Sequence, residues 1–303
     1  MSDTVVRQAP QAPATSSKHR SVASPARARR RVRLSSIGAH ALLVLAALWL
    51  AGPFVWQVLT SLKSLTEATS VPPTWLPQNP QWGNYGTSLH GGVPLTAMLV
   101  NSVLSTVLRT IGQVLFCAMA AYAFARLRFP GRNVLFALYL SVLMVPAQLL
   151  LAPQYDLMLH FGLLNTLPAL ILPGMFGVFG TFLLRQFFAG LPADLEEAAR
   201  LDGASTGRIF WSIMLPLARP GLVALGLLTI IQSWNDLLWP LVVNTDPAKM
   251  TLPVGLAYLQ SLFPTNYPVL MAGSLVAVLP LIIVFVGMQR RVLEGIALSG
   301  AKG

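Results

Sequence analysis

The sequence predicts an all-α, polytopic membrane protein with six transmembrane helices. Three observations carry that reading. Hydrophobic residues make up 54% of the 303 residues and charged residues only 10%, where a soluble domain carries about a quarter charged. Mean hydropathy is accordingly high, at +0.64. Six apolar stretches each approach the ~20 residues that a helix needs to cross a bilayer. Lysine and arginine collect in every second connection between those stretches, the asymmetry that orients a membrane protein.

The elements follow in order. Residues 1–35 are rich in Ala, Pro, Ser and Arg and show no apolar period. They predict a disordered basic tail. Arg27, Arg29, Arg30, Arg31 and Arg33 crowd its end. A net charge of +11 would suggest nucleic acid in a soluble chain. On a membrane protein the basic tail suits anionic lipid headgroups instead, and no nucleic-acid partner is expected. The apolar stretch that follows is too long for a signal peptide and lacks a small-residue cleavage site. Residues 36–303 read as one membrane domain.

The expected spans are Ile37–Leu62, Leu95–Phe124, Val134–Pro153, Leu167–Phe188, Gly221–Val243 and Tyr267–Met288. An even number puts both termini on one side. The tail, Arg126 to Arg132, the Leu191–Leu222 region and Arg290-Arg291 hold nearly all the basic residues, while the alternate loops hold little more than Lys63 and Lys249. Both termini are therefore expected in the cytoplasm. Cys117 is the single cysteine, so no intrachain disulfide forms and the redox compartment is not legible. Gly174, Gly177 and Gly180 form a flat stripe in the fourth span. Such a stripe admits another helix closely, from a partner subunit or from within the chain.

The one long polar break with a helix–turn–helix pattern is Leu191–Leu222. Pro192 suits a first helical position. Asp194, Glu196 and Glu197 load the first turn with acid, and Ala198 and Ala199 are small and helix-forming. Arg200 falls in the last turn. Asp202-Gly203 breaks the helix, with Gly203 able to take a left-handed cap. Ser205 or Thr206 caps a second helix that runs to about Met214 and is stopped by Leu215-Pro216. The predicted object is a short, bent, small-faced helix pair beside the membrane, shaped to dock into a groove on another protein.

Glu197-Ala198-Ala199, Asp202-Gly203-Ala204, Ile213, Leu215-Pro216 and Pro220 resemble the EAA signature of bacterial ABC-importer permeases. The likeness extends over roughly residues 37–303. Val71 to Pro77, Asn84-Tyr85, Ala120 to Arg132, Phe182 to Phe188 and Thr251 to Leu256 are similar to the carbohydrate-importer, MalG-like branch. The resemblance implies that Leu191–Leu222 is a cytoplasmic coupling helix between the fourth and fifth spans. Glu197, Ala198, Ala199, Asp202, Gly203, Ala204, Leu215 and Pro216 would form the ATPase-coupling set. It further implies a second, MalF-like permease, two ATP-binding subunits and an extracytoplasmic substrate-binding protein. Thr251 to Leu256 would belong to a loop that reaches into that binding protein. ATP and Mg would sit on the partner subunits, with no cofactor bound by this chain. The implied function is ATP-driven uptake of a mono- or oligosaccharide by alternating access. Glycerol phosphate or another polar solute is the alternative, followed by a stand-alone secondary transporter.

Trp234, Asn235, Asp236 and Trp239 are the candidate substrate path. An acid inside a span is expensive and faces water or a partner. Amide and carboxylate groups can hydrogen-bond solute hydroxyls, and a Trp offers an apolar ring face. Bundle-facing polar residues have other uses, and Trp239 also suits an interfacial belt. Arg109 in the second span pairs with Asp236 or snorkels; the sequence does not choose. No catalytic or metal-binding constellation is expected. There is no GxSxG elbow and no zinc-spaced histidine cluster. Gly295 to Gly300 has the glycine spacing of a nucleotide cradle, but Ala301 stands where its lysine is required. There is also no chain of intramembrane carboxylates for a proton relay.

Overall fold

A computed structural model of the chain describes residues 26–300 except residue 263, with side chains described from 38 to 287. The chain divides into two units, residues 1–54 and 55–303. The division falls inside the first helix, α1 (Ala26–Ser61). α1 also begins within the stretch expected to be a disordered tail. Residues 1–25 of that expected tail lie outside the described residues. The described part of the first unit presents its apolar side chains outward, with Trp49 84% exposed.

In the second unit, α2 (Leu65–Ala68) and α3 (Gly83–His90) follow α1. Next come α4 (Leu95–Arg126), α5 (Arg132–Ser141), α6 (Leu151–His160), α7 (Leu167–Ile171) and α8 (Val178–Ala189). The polar break holds α9 (Asp194–Leu201), α10 (Thr206–Ile209) and α11 (Leu215–Leu217). α12 (Arg219–Trp234), α13 (Leu238–Val243), α14 (Leu252–Ser261) and α15 (Tyr267–Gly300) complete the order. No strand occurs among the described residues.

Three straight segments are long and apolar enough to cross a membrane: Gly38–Ser61, Leu95–Arg126 and Tyr267–Gly287. Three bent pairs bring the number to six if each counts as one span. Arg132–Met144 and Ala147–His160 meet at 96°. The cause is local: Pro146 pushes Val145 to an extended ψ of 121°, as a residue before proline must go. Leu167–Gly174 and Val178–Ala189 meet at 48°, and Thr206–Leu217 and Arg219–Trp234 at 75°. The expected fifth span, Gly221–Val243, is not continuous. α12 ends at Trp234, where Asn235 caps it and donates its Nδ2 to Ile231 O at 2.8 Å. Asp236 turns aside to an arginine, and α13 starts afresh.

The glycine stripe packs within the chain. A methyl group on Gly174, Gly177 or Gly180 would run into Arg109, Gln113 or Cys117 respectively. Those three α4 residues recur every fourth position and so share one helix face. At Gly180 the obstacles are Cys117 Sγ at 2.9 Å and Leu225 Cδ1 at 3.0 Å. Gly180→Leu should therefore cost about 1–3 kcal/mol by overpacking, read as a lower melting temperature of the purified protein. Gly207→Ala meets nothing within 4 Å and should leave melting unchanged or raise it. Equal melting of the two variants would refute this packing.

The connection before the last span is anchored at its start. Asn101 Nδ2 donates to Ala248 O and Met250 O at 2.9 and 3.0 Å, and Leu252 N donates to Ser102 Oγ at 2.7 Å. Thr251, Leu252 and Val254 are buried. In the first long connection, Lys63 is 2% exposed. Its Nζ donates to Thr74 O and lies 4.7 Å from the centre of the Trp56 ring.

Candidate functional site

Two places draw the predicted residues together. The first is the helix pair of the polar break. α9 starts at Asp194 with Ala193 as its N-cap, so Pro192 lies before the cap rather than at a first helical position. Gly203 has φ +80°, a value open to glycine. Gly203 N donates to Arg200 O at 3.0 Å and Ala204 N to Ala199 O at 2.9 Å. Those two bonds form the Schellman pattern that closes a helix end. Ser205, not Thr206, caps the second helix, with its Oγ accepting from Arg208 N at 3.4 Å.

Pro216 does not stop that helix. The chain passes from α10 through a π-helical stretch, Phe210–Met214, into α11 and on to Leu217. Leu215 N donates back to Phe210 O, and this five-residue reach lets the helix continue where proline supplies no donor. The break comes at Ala218.

α9 has one face tied down and one face open. Glu196 is 6% and Ala199 8% exposed. Glu196 Oε1 accepts from Tyr122 Oη at 2.9 Å and from Arg200 Nη2 at 3.1 Å. Arg126 Nε lies 3.9 Å from Glu196 Oε2, and the Arg126 guanidinium also donates to Leu191 O. Tyr122 and Arg126 are one turn apart near the end of α4, so this carboxylate fastens α9 to the second span. Around it, Ala199, Ile209, Phe210 and Met214 pack with Cys117, Ala121, Leu184 and Phe188. Glu197, Ala198, Asp202, Gly203 and Pro216 are exposed, while Ala204 and Leu215 are half-buried. Leu201 is 90% exposed. Sequence reasoning singled out Glu197 and passed over Glu196 as the anchor. The signal was there: Glu196 and Ala199 are three apart and share a helix face.

The second place is a cavity of about 270 Å³ between α4, the break before α6, the end of α7 and α13. Arg109 and Asp236 meet there, Nη1 to Oδ2 at 2.9 Å, with about a fifth of each side chain exposed. Asp236 Oδ1 also accepts from Trp239 N at 3.4 Å. Trp239 lines the cavity, its indole fixed by an Nε1 bond to Ala169 O at 2.8 Å. Gln148, Gln154 and Gly174 complete the polar part of the wall. Of the four predicted path residues, Asp236 and Trp239 line this space. Trp234 and Asn235 do not. Trp234 is buried among Val93, Leu95, Met98 and Leu252 and donates Nε1 to Ala277 O at 3.1 Å. Asn235 is exposed and spent on its own helix end.

A polytopic helical chain with a bent helix pair fastened beside its second span is the architecture of an importer permease. Residues 95–297 match the family described as binding-protein-dependent transport system inner membrane component, and the chain belongs to that family. It is an ABC-importer permease, a membrane transport component rather than an enzyme. The arabinooligosaccharides transport system permease protein AraQ of Halalkalibacterium halodurans is 41% identical over 203 residues, 67% of this chain and 73% of that protein. The sulfoquinovosyl glycerol transport system permease protein SmoH of Agrobacterium fabrum is 36% identical, covering 83% of this chain and 88% of its own length. The sn-glycerol-3-phosphate transport system permease protein UgpE of Yersinia pestis is 33% identical, over 85% and 94%. Among solved structures, a bacterial ABC transporter involved in import of the acidic polysaccharide alginate superposes with a TM-score of 0.75 at 28% identity. That match covers 86% of this chain and 97% of the other.

Proposed function

We propose that this chain is one of two permease subunits of an ATP-driven saccharide importer. It lies in the cytoplasmic membrane with both termini inside. A second, MalF-like permease completes the path, two ATP-binding subunits drive it, and an extracytoplasmic binding protein delivers the solute. The observation that carries this reading is the two-faced α9. Its inner face is locked to α4 through Glu196, and its outer face leaves Glu197, Ala198 and Leu201 uncovered. A partner that moves α9 therefore moves the second span, which carries Arg109 at the cavity. Glu197 would make a charge contact with the ATPase, and Ala198 would permit close approach. Gly203 would set the bend. Closure of the ATPase pair on ATP then drives alternating access.

Glu197→Cys tests the orientation directly. A membrane-impermeant maleimide should label it in inside-out vesicles and not in intact cells. Background should be low, because Cys117 is buried. ATP-binding subunits bound to the same complex should protect the site. Labelling from the exterior would overturn the assignment, as would solute uptake that proceeds with no nucleotide hydrolysis.

A further inference from the structure

We infer that the Arg109–Asp236 cavity is a binding site on this subunit for one uncharged glycosyl unit, and that its internal ion pair discriminates against anionic solutes. The inference rests on the importer reading above and specifies the solute chemistry of the predicted path. The volume, about 270 Å³, lies just below the ~300 Å³ lower end of ligand pockets, which suits one sugar ring rather than a whole oligosaccharide. The wall carries no net charge, since Arg109 is matched by Asp236 at 2.9 Å and the other polar lining groups are the Gln148 and Gln154 amides.

Hydrogen-bonding capacity in this wall is left over. Among the described residues, the exposed Gln148 and half-buried Gln154 side chains make no hydrogen bond within the chain. Arg109 Nε is buried and likewise unpartnered. The two amides face the cavity with their donors and acceptors open, and vicinal hydroxyls of a solute can bind them together with the Arg109 guanidinium. Trp239, held rigid through Ala169 O, supplies an apolar wall for the ring carbons. An anionic solute gains nothing comparable. Its attraction to Arg109 is offset by repulsion from Asp236, and it surrenders its hydration on entry.

The test is equilibrium binding to the purified full complex without its binding protein. The neutral probes are arabinotriose, maltose and raffinose; the anionic probes are sulfoquinovosyl glycerol and sn-glycerol 3-phosphate. At least one neutral probe should bind about tenfold or more tighter than either anion, a ratio between the roughly fivefold that a charge contact at about 4 Å gives in water and the roughly thousandfold it gives at an effective dielectric near 20. Asp236→Asn leaves Arg109 unneutralised and should move the ratio toward the anions by about tenfold. Arg109→Gln combined with Asp236→Asn restores neutrality and should restore the neutral preference, which guards against misfolding of the single variant. Gln154→Ala should weaken the neutral probe severalfold. An unchanged neutral-to-anion ratio in Asp236→Asn would overturn the inference, and so would tighter wild-type binding of an anion or no binding of any neutral probe. In those cases ATP-driven uptake by the same complex would still uphold the importer reading; loss of that uptake in the wild type would sink the importer reading itself.

Discussion

Gly203→Pro is expected to abolish solute uptake while leaving the protein in the membrane. Gly203 holds φ +80°, and proline is locked near −65°. The substitution also deletes the Gly203 N–H bond to Arg200 O. The chain cannot then turn from α9 into α10 along its present path, and the exposed face of α9 is re-aimed. Gly203 is exposed and a methyl group there meets no neighbour, so the membrane spans keep their packing. Uptake by vesicles holding the whole complex should fall at least about a hundredfold, since removing a proper helix stop and forcing proline into it costs roughly 3 kcal/mol. Gly203→Asn should retain much of the rate, because asparagine tolerates the left-handed region. Normal uptake by the proline variant would show that the bend does not transmit movement.

Glu196→Ala should be the most damaging single loss of stability in the polar break. It strips the partner from Tyr122 Oη and Arg200 and from the nearby Arg126. Arg126 sits with only 12% of its side chain exposed. Removing one member of such a buried pair costs about 3–5 kcal/mol, because the charge left behind is uncompensated. Glu197→Ala, one residue on and exposed, should stay within about 0.5 kcal/mol. Melting of the purified protein separates the two. A cycle with Tyr122→Phe should show coupling, since contacting residues are not additive. If the two glutamate variants melted alike, the anchoring role of Glu196 would be lost. If Glu197→Ala kept normal uptake and normal ATPase binding, the outer face would not be the docking face.

Much of this was legible because it is local chemistry. Apolar runs of bilayer length mark helical segments long and apolar enough to cross a membrane. Asp202-Gly203 marks the helix end because only a few residues enter the left-handed region without strain. The errors are also physical. Pro216 on its own predicts a stop, yet a π-helical stretch upstream reroutes the hydrogen bonds past it. The apolar run predicts a fifth span straight through Asn235-Asp236, but those side chains take partners in their own helix end and in Arg109. Trp234 and Trp239 look alike in sequence, but one is buried in a core cluster and the other lines the cavity.

The sequence by itself determined the class: helical, rich in segments apolar enough to span a membrane, with one bent polar helix pair between the fourth and fifth hydrophobic stretches. Composition and turn chemistry suffice for that, because solvation by lipid and the glycine conformation are properties of single residues or short runs. Only the tertiary structure decided that Glu196 meets Tyr122 of α4, that the glycine stripe faces α4, and that Arg109 meets Asp236. Those outcomes depend on the rotational phase of one helix against another, and phase is set by packing between segments far apart in the chain, 74 residues for Tyr122–Glu196 and 127 for Arg109–Asp236.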